Sequence, residues 1–336
     1  MNLISPTSPS PSSSHSHSSE RTDAHDLLFA QGADLIAQTS DAPHLHAGLW
    51  FKNTPTYQGQ TIGTIGGCEL GKQTSDRAVQ FLGDCAHYLH HTQRCQSVVG
   101  PMNGNTWLKH RLIIESNQRP PFLMEPVEPE HFLQTFQAAG FSILSEYSSS
   151  LIDLTLDQPD FSSLEARLAK RGVRIRPINP KSFETDLVSL FKLSLQCFSN
   201  NFLYTPIDES TFVQKYKTSQ QHINPEFVLL AEQEVDDHTH DRKELVGYVF
   251  GIPDLSAIQQ NKPPALIVKT LAVLPDRKFS GLGTLLVGQA HQHAKTLGHT
   301  EAIHALQHQN NTSHRISQRF NAQIFRRYAL MEYRVE

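Results

Sequence analysis

The segment VKTLAVLPDRKFSGLGTLLVGQAHQHAKTLG, running from Val268 to Gly298, holds the residues of this sequence best suited to chemistry. An apolar run ends at Val273-Leu274-Pro275. A short loop then carries Lys278, Phe279, Ser280, Gly281, Leu282 and Gly283, and a helical pattern begins at once with Thr284. Glycines at the mouth of a helix let backbone N–H groups approach an anion closely, and the helix N-terminus adds partial positive charge. Lys278 can add a full charge. The spacing predicts a strand–loop–helix anion site, most naturally for a pyrophosphate. On spacing alone, a tight strand-to-helix turn with no ligand fits the same residues. A dinucleotide fingerprint does not, because Leu286 stands at its third glycine position and no suitable acidic partner is evident.

Other groupings are weaker. Gly66-Gly67-Cys68-Glu69-Leu70-Gly71-Lys72 fits the first seven positions of a phosphate-binding Walker A loop, but Gln73 stands where a hydroxyl must ligate magnesium. A plain strand-to-helix connection is the simpler expectation. His238 and His240, flanked by Asp236, Asp237 and Asp241, read as a solvated hairpin tip rather than a metal site. His291 and His293 are two apart on a helix and point to different faces, and so do Cys85 and His87. Asn103 to Trp107 (NGNTW) has turn chemistry, for which packing is the expected role.

The elements that would position the anion site recur along the second half. A strand (Val173–Ile178) precedes helices at Thr185–Phe198 and Ser210–Tyr216. Strands follow at Phe227–Gln233 and Leu245–Ile252. The nearly all-apolar strand Ala265–Val273 suggests burial on both faces. Helix Thr284–Leu297 closes at Gly298, strand Ala302–Leu306 follows, and a last helix starts near Ser313. In the first half, Ser75 is placed to cap a helix to about His91, and a helix from Pro129 to Ala139 stops at Gly140. Strand-like runs lie at Gly48–Phe51, Thr61–Gly66 and Ser97–Val99. Residues up to His25 are rich in Ser, Pro and His and are expected to lack structure. Ser148–Ser163, rich in Ser and Asp with Pro159, reads as the connection between halves.

A chain of 336 residues makes two domains the prior. The net charge of −4 gives no reason to expect nucleic acid or an anionic membrane surface as partner. Cys68, Cys85, Cys95 and Cys197 form no CxxC pair and read as free thiols in a reducing compartment. No apolar run is long enough for a bilayer and no secretory pattern opens the sequence, so a cytoplasmic location is expected.

The segment around Lys278–Gly283 resembles motif A of the GNAT superfamily of N-acetyltransferases, Arg/Gln-x-x-Gly-x-Gly/Ala after a strand ending in Val-x-Pro. Lys278 in place of Arg or Gln is a departure. Asn310, Ser313 and Ser317 fall where the family's later helix motif has Asn, a small residue and Tyr; Asn321 replaces its following Gly. The resemblance extends over Val173–Glu336 in element order. Residues 26–154 loosely resemble a second, degenerate copy without a phosphate loop. The resemblance implies an α/β (α+β) fold, a mixed central sheet with flanking helices, in tandem: a tail (1–25), a degenerate GNAT-like domain (26–154), a linker (155–172) and a catalytic domain (173–336).

It further implies an acyltransferase that moves an acetyl group from acetyl-CoA to a primary amine of a small molecule or peptide, by direct attack and without metal. CoA would enter a gap between Ala265–Val273 and Ala302–Leu306. Its contacts would be Lys278, Phe279, Ser280, Gly281, Leu282, Gly283, Thr284 and Asn310, with Leu271, Ala272 and Val273 on the pantetheine and thioester carbonyl. Ser317 occupies the usual acid position and is a poor acid; Tyr328 is the substitute, though it also suits the core of a terminal strand. Glu301 and Asp254 stand near strand ends as candidate bases. A CoA-binding module without catalysis is the alternative. The chain is expected to be a monomer or homodimer.

Overall fold

A computed structural model describes residues 1–6, 16–42, 44–218, 220–237, 240–259, 261 and 264–334. Its first half contains β1 (Asn2–Ile4), α1 (Ser16–Ala30), β2 (Leu35–Gln38), β3 (His46–Trp50), β4 (Thr56–Tyr57), β5 (Gln60–Glu69), α2 (Asp76–His87), β6 (Ser97–Gly100), β7 (Leu112–Ser116), α3 (His131–Ala138) and β8 (Phe141–Asp153). Helix α4 (Ser162–Ala169) leads into β9 (Val173–Pro177), α5 (Phe183–Phe198), α6 (Glu209–Lys217), β10 (Val228–Asp237), β11 (His240–Pro253), α7 (Leu255–Gln259) and β12 (Ala265–Val273). The chain ends with α8 (Leu282–Thr296), β13 (Glu301–His308), α9 (Ser313–Arg319) and β14 (Gln323–Tyr333).

Local chemistry accounts for these elements. In α2, Ser75 accepts a hydrogen bond from the N–H of Ala78, while Ala78, Phe81, Leu82 and Cys85 are buried at helical spacing. Strand β12 begins with four buried residues, Ala265–Val268. Its two faces pack into separate cores, Leu266 and Val268 into one and Ala265 and Ile267 into the other.

Among the described residues the strands join one 14-stranded sheet, in which twelve are ordered β1-β2-β3-β5-β6-β14-β8-β13-β12-β11-β10-β9, while β4 pairs with β5 and β7 with β14 beside that path. Each half follows the same plan. In the second, β9 to β12 pair antiparallel and β12 pairs parallel with β13, with α8 as the crossover. In the first, β2, β3 and β5 pair antiparallel and β5 pairs parallel with β6, with α2 as the crossover. The halves then exchange their last strands. β8, from the first half, pairs with β13, while β14, the end of the chain, pairs with β6 and β7; β8 and β14 lie side by side between them.

Several expectations change. Ser148–Ser150 are strand, not connection. They belong to β8 and are buried because strands cover it on both sides. The stretch to His25 contains β1 and the start of α1, while residues 7–15 and the final residues, Glu336 included, lie outside those described. Gly66 and Gly67 lie inside β5, not in a loop. A Cβ on Gly66 would stand 2.5 Å from the Met102 backbone, so close packing rather than a phosphate explains it. Of the 236–241 group, His238 lies outside the described residues.

Candidate functional site

The gap expected between β12 and β13 is opened by two irregularities. The parallel pairing runs only from Ala265–Glu301 to Val268–His304. At that level Phe250 and Gly251 of β11 face Thr270 and Val268, which leaves Lys269 as an extra, bulged residue in β12. On β13, Ala305 and Leu306 together oppose the single Ser149 of β8; Leu306 has φ +57° and its N–H donates to Ser149 Oγ at 3.0 Å. The strands diverge beyond these bulges.

The phosphate-loop candidate lies at the wide end. A 3-10 turn, Arg277–Phe279, is capped by Asp276, and Gly281 then takes φ +89°, where a side chain would be strained. Helix α8 starts at Leu282 with no side-chain cap, so its first N–H groups have no partner from a capping residue. The equivalent helix of the first half, α2, has its terminus capped by Ser75. Two arginines that sequence reasoning missed brace the loop from α4 and the turn after it: Arg167 Nη2 donates to Ser280 O at 2.7 Å and Arg171 Nη1 to Lys278 O at 2.5 Å. The Lys278 ammonium stands 3.8 Å from Asp276, so part of its charge is met within the loop.

Inside the gap lies a cavity of about 1170 Å³. Its walls include Thr270, Leu271, Val287, His304 and Ile316 from the second half, with Lys215, Lys269 and Tyr204, and Trp107 and Arg111 from the first. Trp107 therefore lines a cavity, a role the NGNTW turn alone did not favour. Its Nε1 donates to Thr205 O at 2.8 Å, and Lys215 Nζ donates to its carbonyl at 2.7 Å. Burial lowers the Lys215 and Lys269 pKa values, and Lys269 adds to the effect on Lys215. Arg111 is brought down to about 10 by burial.

Behind the wall runs a buried chain, His291 Nε2 to His304 Nε2 at 3.1 Å and His304 Nδ1 to Ser317 Oγ at 2.7 Å. Ser317 in turn donates to Gln307 Oε1 at 3.0 Å. Burial depresses His304 to about 4 and holds His291 well below the usual range, so both rings are neutral at physiological pH.

The expected site residues distribute as follows. Leu271 and Asn310 line the cavity; Lys278, Phe279, Ser280, Gly281, Leu282, Gly283, Thr284, Ala272 and Val273 do not, although Gly283 packs against Leu271 and Val273 at the cavity's end. Ser317 and Tyr328 are both buried and do not line it. The Tyr328 hydroxyl donates to Glu125, lies 3.0 Å from Ser149 Oγ, and has its pKa driven up by burial and by Glu125. Glu301 is not a free base: Arg119 holds it at 2.5 Å. Asp254 is buried and accepts from the Leu123 N–H at 3.0 Å, again for packing between halves. Arg111 and the loop that carries it were invisible to sequence spacing.

Among the described residues, no group of three or more His, Cys, Asp or Glu is gathered as for a metal, and no helix is long and apolar enough to cross a membrane. Residues 187–321 match the model of the acetyltransferase (GNAT) family. No curated protein sequence matches the chain. Among solved structures, a GCN5-related N-acetyltransferase from Sphaerobacter thermophilus superposes with a TM-score of 0.51 at 12% identity, over 86% of this chain and 76% of that one. A GCN5-related glucosamine N-acetyltransferase region of a fungal multi-domain β-N-acetylglucosaminidase gives 0.53 at 12% identity; it covers 91% of this chain, which spans only 34% of that protein. Residues 187–321 therefore match the GNAT family, and the chain shares the fold of the GCN5-related N-acetyltransferase structures.

Proposed function

We propose that the chain is an N-acyltransferase that moves the acetyl group of acetyl-CoA to a primary amine. The observation that carries this is the open gap between β12 and β13 with an uncapped helix terminus at its mouth. The CoA phosphates would lie against Lys278–Thr284, beside Arg167 and Arg171, and the pantetheine along Leu271–Val273 toward Asn310. Backbone groups freed at the Lys269 bulge would polarise the thioester carbonyl. The amine nitrogen forms the new C–N bond as the C–S bond breaks and the thiolate leaves. The amine must arrive neutral, with water as the simplest acceptor of its proton, because both ring nitrogens of His304 on the cavity wall are engaged by His291 and Ser317. Of the acid candidates, Ser317 is committed to Gln307 and Tyr328 to Glu125. Water is the simpler proton source for the thiolate.

The first half, with its capped α2 and no glycine loop, would bind no CoA and would wall the acceptor side. The division into 26–154, 155–172 and 173–336 describes this sharing of roles, and the exchanged strands make one chain resemble a dimer. A module that binds acyl-CoA without turnover is favoured by one observation: both candidate acid hydroxyls are buried, do not line the cavity and are already donated to protein acceptors, Gln307 and Glu125.

Calorimetric titration of acetyl-CoA, followed by thiol release with a panel of amines, tests these readings. Ser280→Asp adds a negative charge at an exposed loop residue and is expected to weaken acetyl-CoA binding at least about tenfold without unfolding the protein. Saturable binding lost in the variant, with thiol release in the wild type, supports the enzyme. Binding without release from any amine supports the module, and no binding sinks both.

A further inference from the structure

The cavity wall carries a charge imbalance that the acyl donor does not explain. Arg111 lines the cavity and is 7% exposed. Its Nη1 donates to Leu306 O at 3.2 Å, its Nη2 to His110 Nε2, and its guanidinium lies 4.0 Å from the Tyr147 ring centre. Its Nε has no partner. His110 is no counter-charge: its Nδ1 donates to Leu108 O at 2.8 Å, which leaves Nε2 as an acceptor on a neutral ring. Among the described residues, no carboxylate pairs with Arg111. A guanidinium buried without an opposite charge is costly, and such groups are normally paired.

The neighbours add to the imbalance. Lys215 and Lys269 line the same cavity, the first held by the Trp107 carbonyl and the second 5.2 Å from the Tyr216 ring centre, and neither has a carboxylate partner among the described residues. Lys109 is already matched by Glu128 at 3.0 Å. The cavity's own carboxylate, Glu125, is taken by Arg326 and Tyr328. None of Lys278–Gly283 lines the cavity, so the donor's phosphates, if bound at that loop, do not reach these cations. The acyl end of the donor is neutral and asks for none.

We propose that Arg111, in the cavity that Lys215 and Lys269 also line, receives an anionic group carried by the acceptor amine, a carboxylate or a phosphate. The substrate class of the acyltransferase is then a zwitterionic amine, not a polyamine or a neutral amino sugar. This rests on the acyl-transfer function for the word acceptor, but the anion site itself does not. The forked guanidinium suits either anion, and its buried Nε is a donor that no protein atom satisfies. The unmatched positive field would also repel polycationic amines.

The test uses matched pairs of amines: glutamate, leucine and phenylalanine against their amides for the carboxylate, and phosphoethanolamine against ethanolamine for the phosphate. Each is titrated calorimetrically into the full-length protein saturated with free CoA, where no acyl transfer can occur, and each is assayed for thiol release with acetyl-CoA. The member of at least one pair that carries the carboxylate or phosphate is expected to bind roughly a hundredfold tighter than its cationic partner without that group, and which pair does so tells carboxylate from phosphate. Arg111→Met should shrink that ratio to near one, with acetyl-CoA titration and circular dichroism as controls of folding. The wild-type ratios stand even where that variant fails to fold. Equal binding within every pair, no binding by any member, or preference for spermidine over all of them, overturns the proposal. Selective binding without thiol release would instead retain the anion site and sink the acyltransferase.

Discussion

Replacing Arg326 by methionine tests how the exchanged strands are locked together. Arg326 stands on β14, at the end of the chain, and Glu125 in the loop before α3, so the pair ties the last strand to the first half. Their side chains are 2% and 0% exposed. Arg326 also donates to Arg119 O and, at 3.2 Å, to Ser116 Oγ. Removing the guanidinium leaves a buried carboxylate with only the Tyr328 hydroxyl and the Phe122 N–H as donors, and breaking such a pair costs about 3–5 kcal/mol. Tyr328→Phe removes a single hydroxyl and should cost about 1–3 kcal/mol, the smaller loss. Adding Glu125→Gln to Arg326→Met discharges the orphan, so the double variant should be less damaged than the sum of the singles by roughly 1–3 kcal/mol. Urea unfolding, followed by circular dichroism and by the fluorescence of Trp50 and Trp107, measures all four. Because each half holds the other's last strand, both probes should report one transition. A loss below about 1 kcal/mol for Arg326→Met, or a larger one for Tyr328→Phe, would refute the view that this carboxylate is desolvated and held by Arg326.

Two further outcomes follow from the site. Gly281→Ala places a side chain at φ +89° and a Cβ 2.8 Å from Leu164 Cδ1, and should lower stability by about 1–2 kcal/mol in urea unfolding; a gain would show that the loop takes another conformation. His304 is depressed from 6.5 to about 4, so the unfolded state binds its proton first as pH falls. Its contribution is complete above about pH 6.5 and is lost toward pH 4, amounting to about 2 kcal/mol between pH 7.5 and 5.0, with His291 and His110 acting in the same direction. Urea midpoints that stay flat or rise over that interval would contradict a neutral buried His304.

The second half was legible because its signals are local. The apolar run Ala265–Val273, the glycines at 281 and 283 and the periodicity after Thr284 lie within one strand–loop–helix unit, and each acts on its own neighbours. The cap at Ser75 was legible for the same reason. What the sequence could not supply depends on partners far along the chain. Ser148–Ser150 look like a linker by composition, because nothing in them says that β13 and β14 will cover them. Tyr328, Glu301 and Asp254 have chemistry to offer by residue type, yet Glu125, Arg119 and the Leu123 N–H engage them across the junction. Arg111 sits in a run without a motif, and only the bulge at Ala305–Leu306 turns it into a cation on a cavity wall. Spacing along a chain determines what neighbours in sequence can do. Burial and pairing between distant segments decide which of those groups remain free to act.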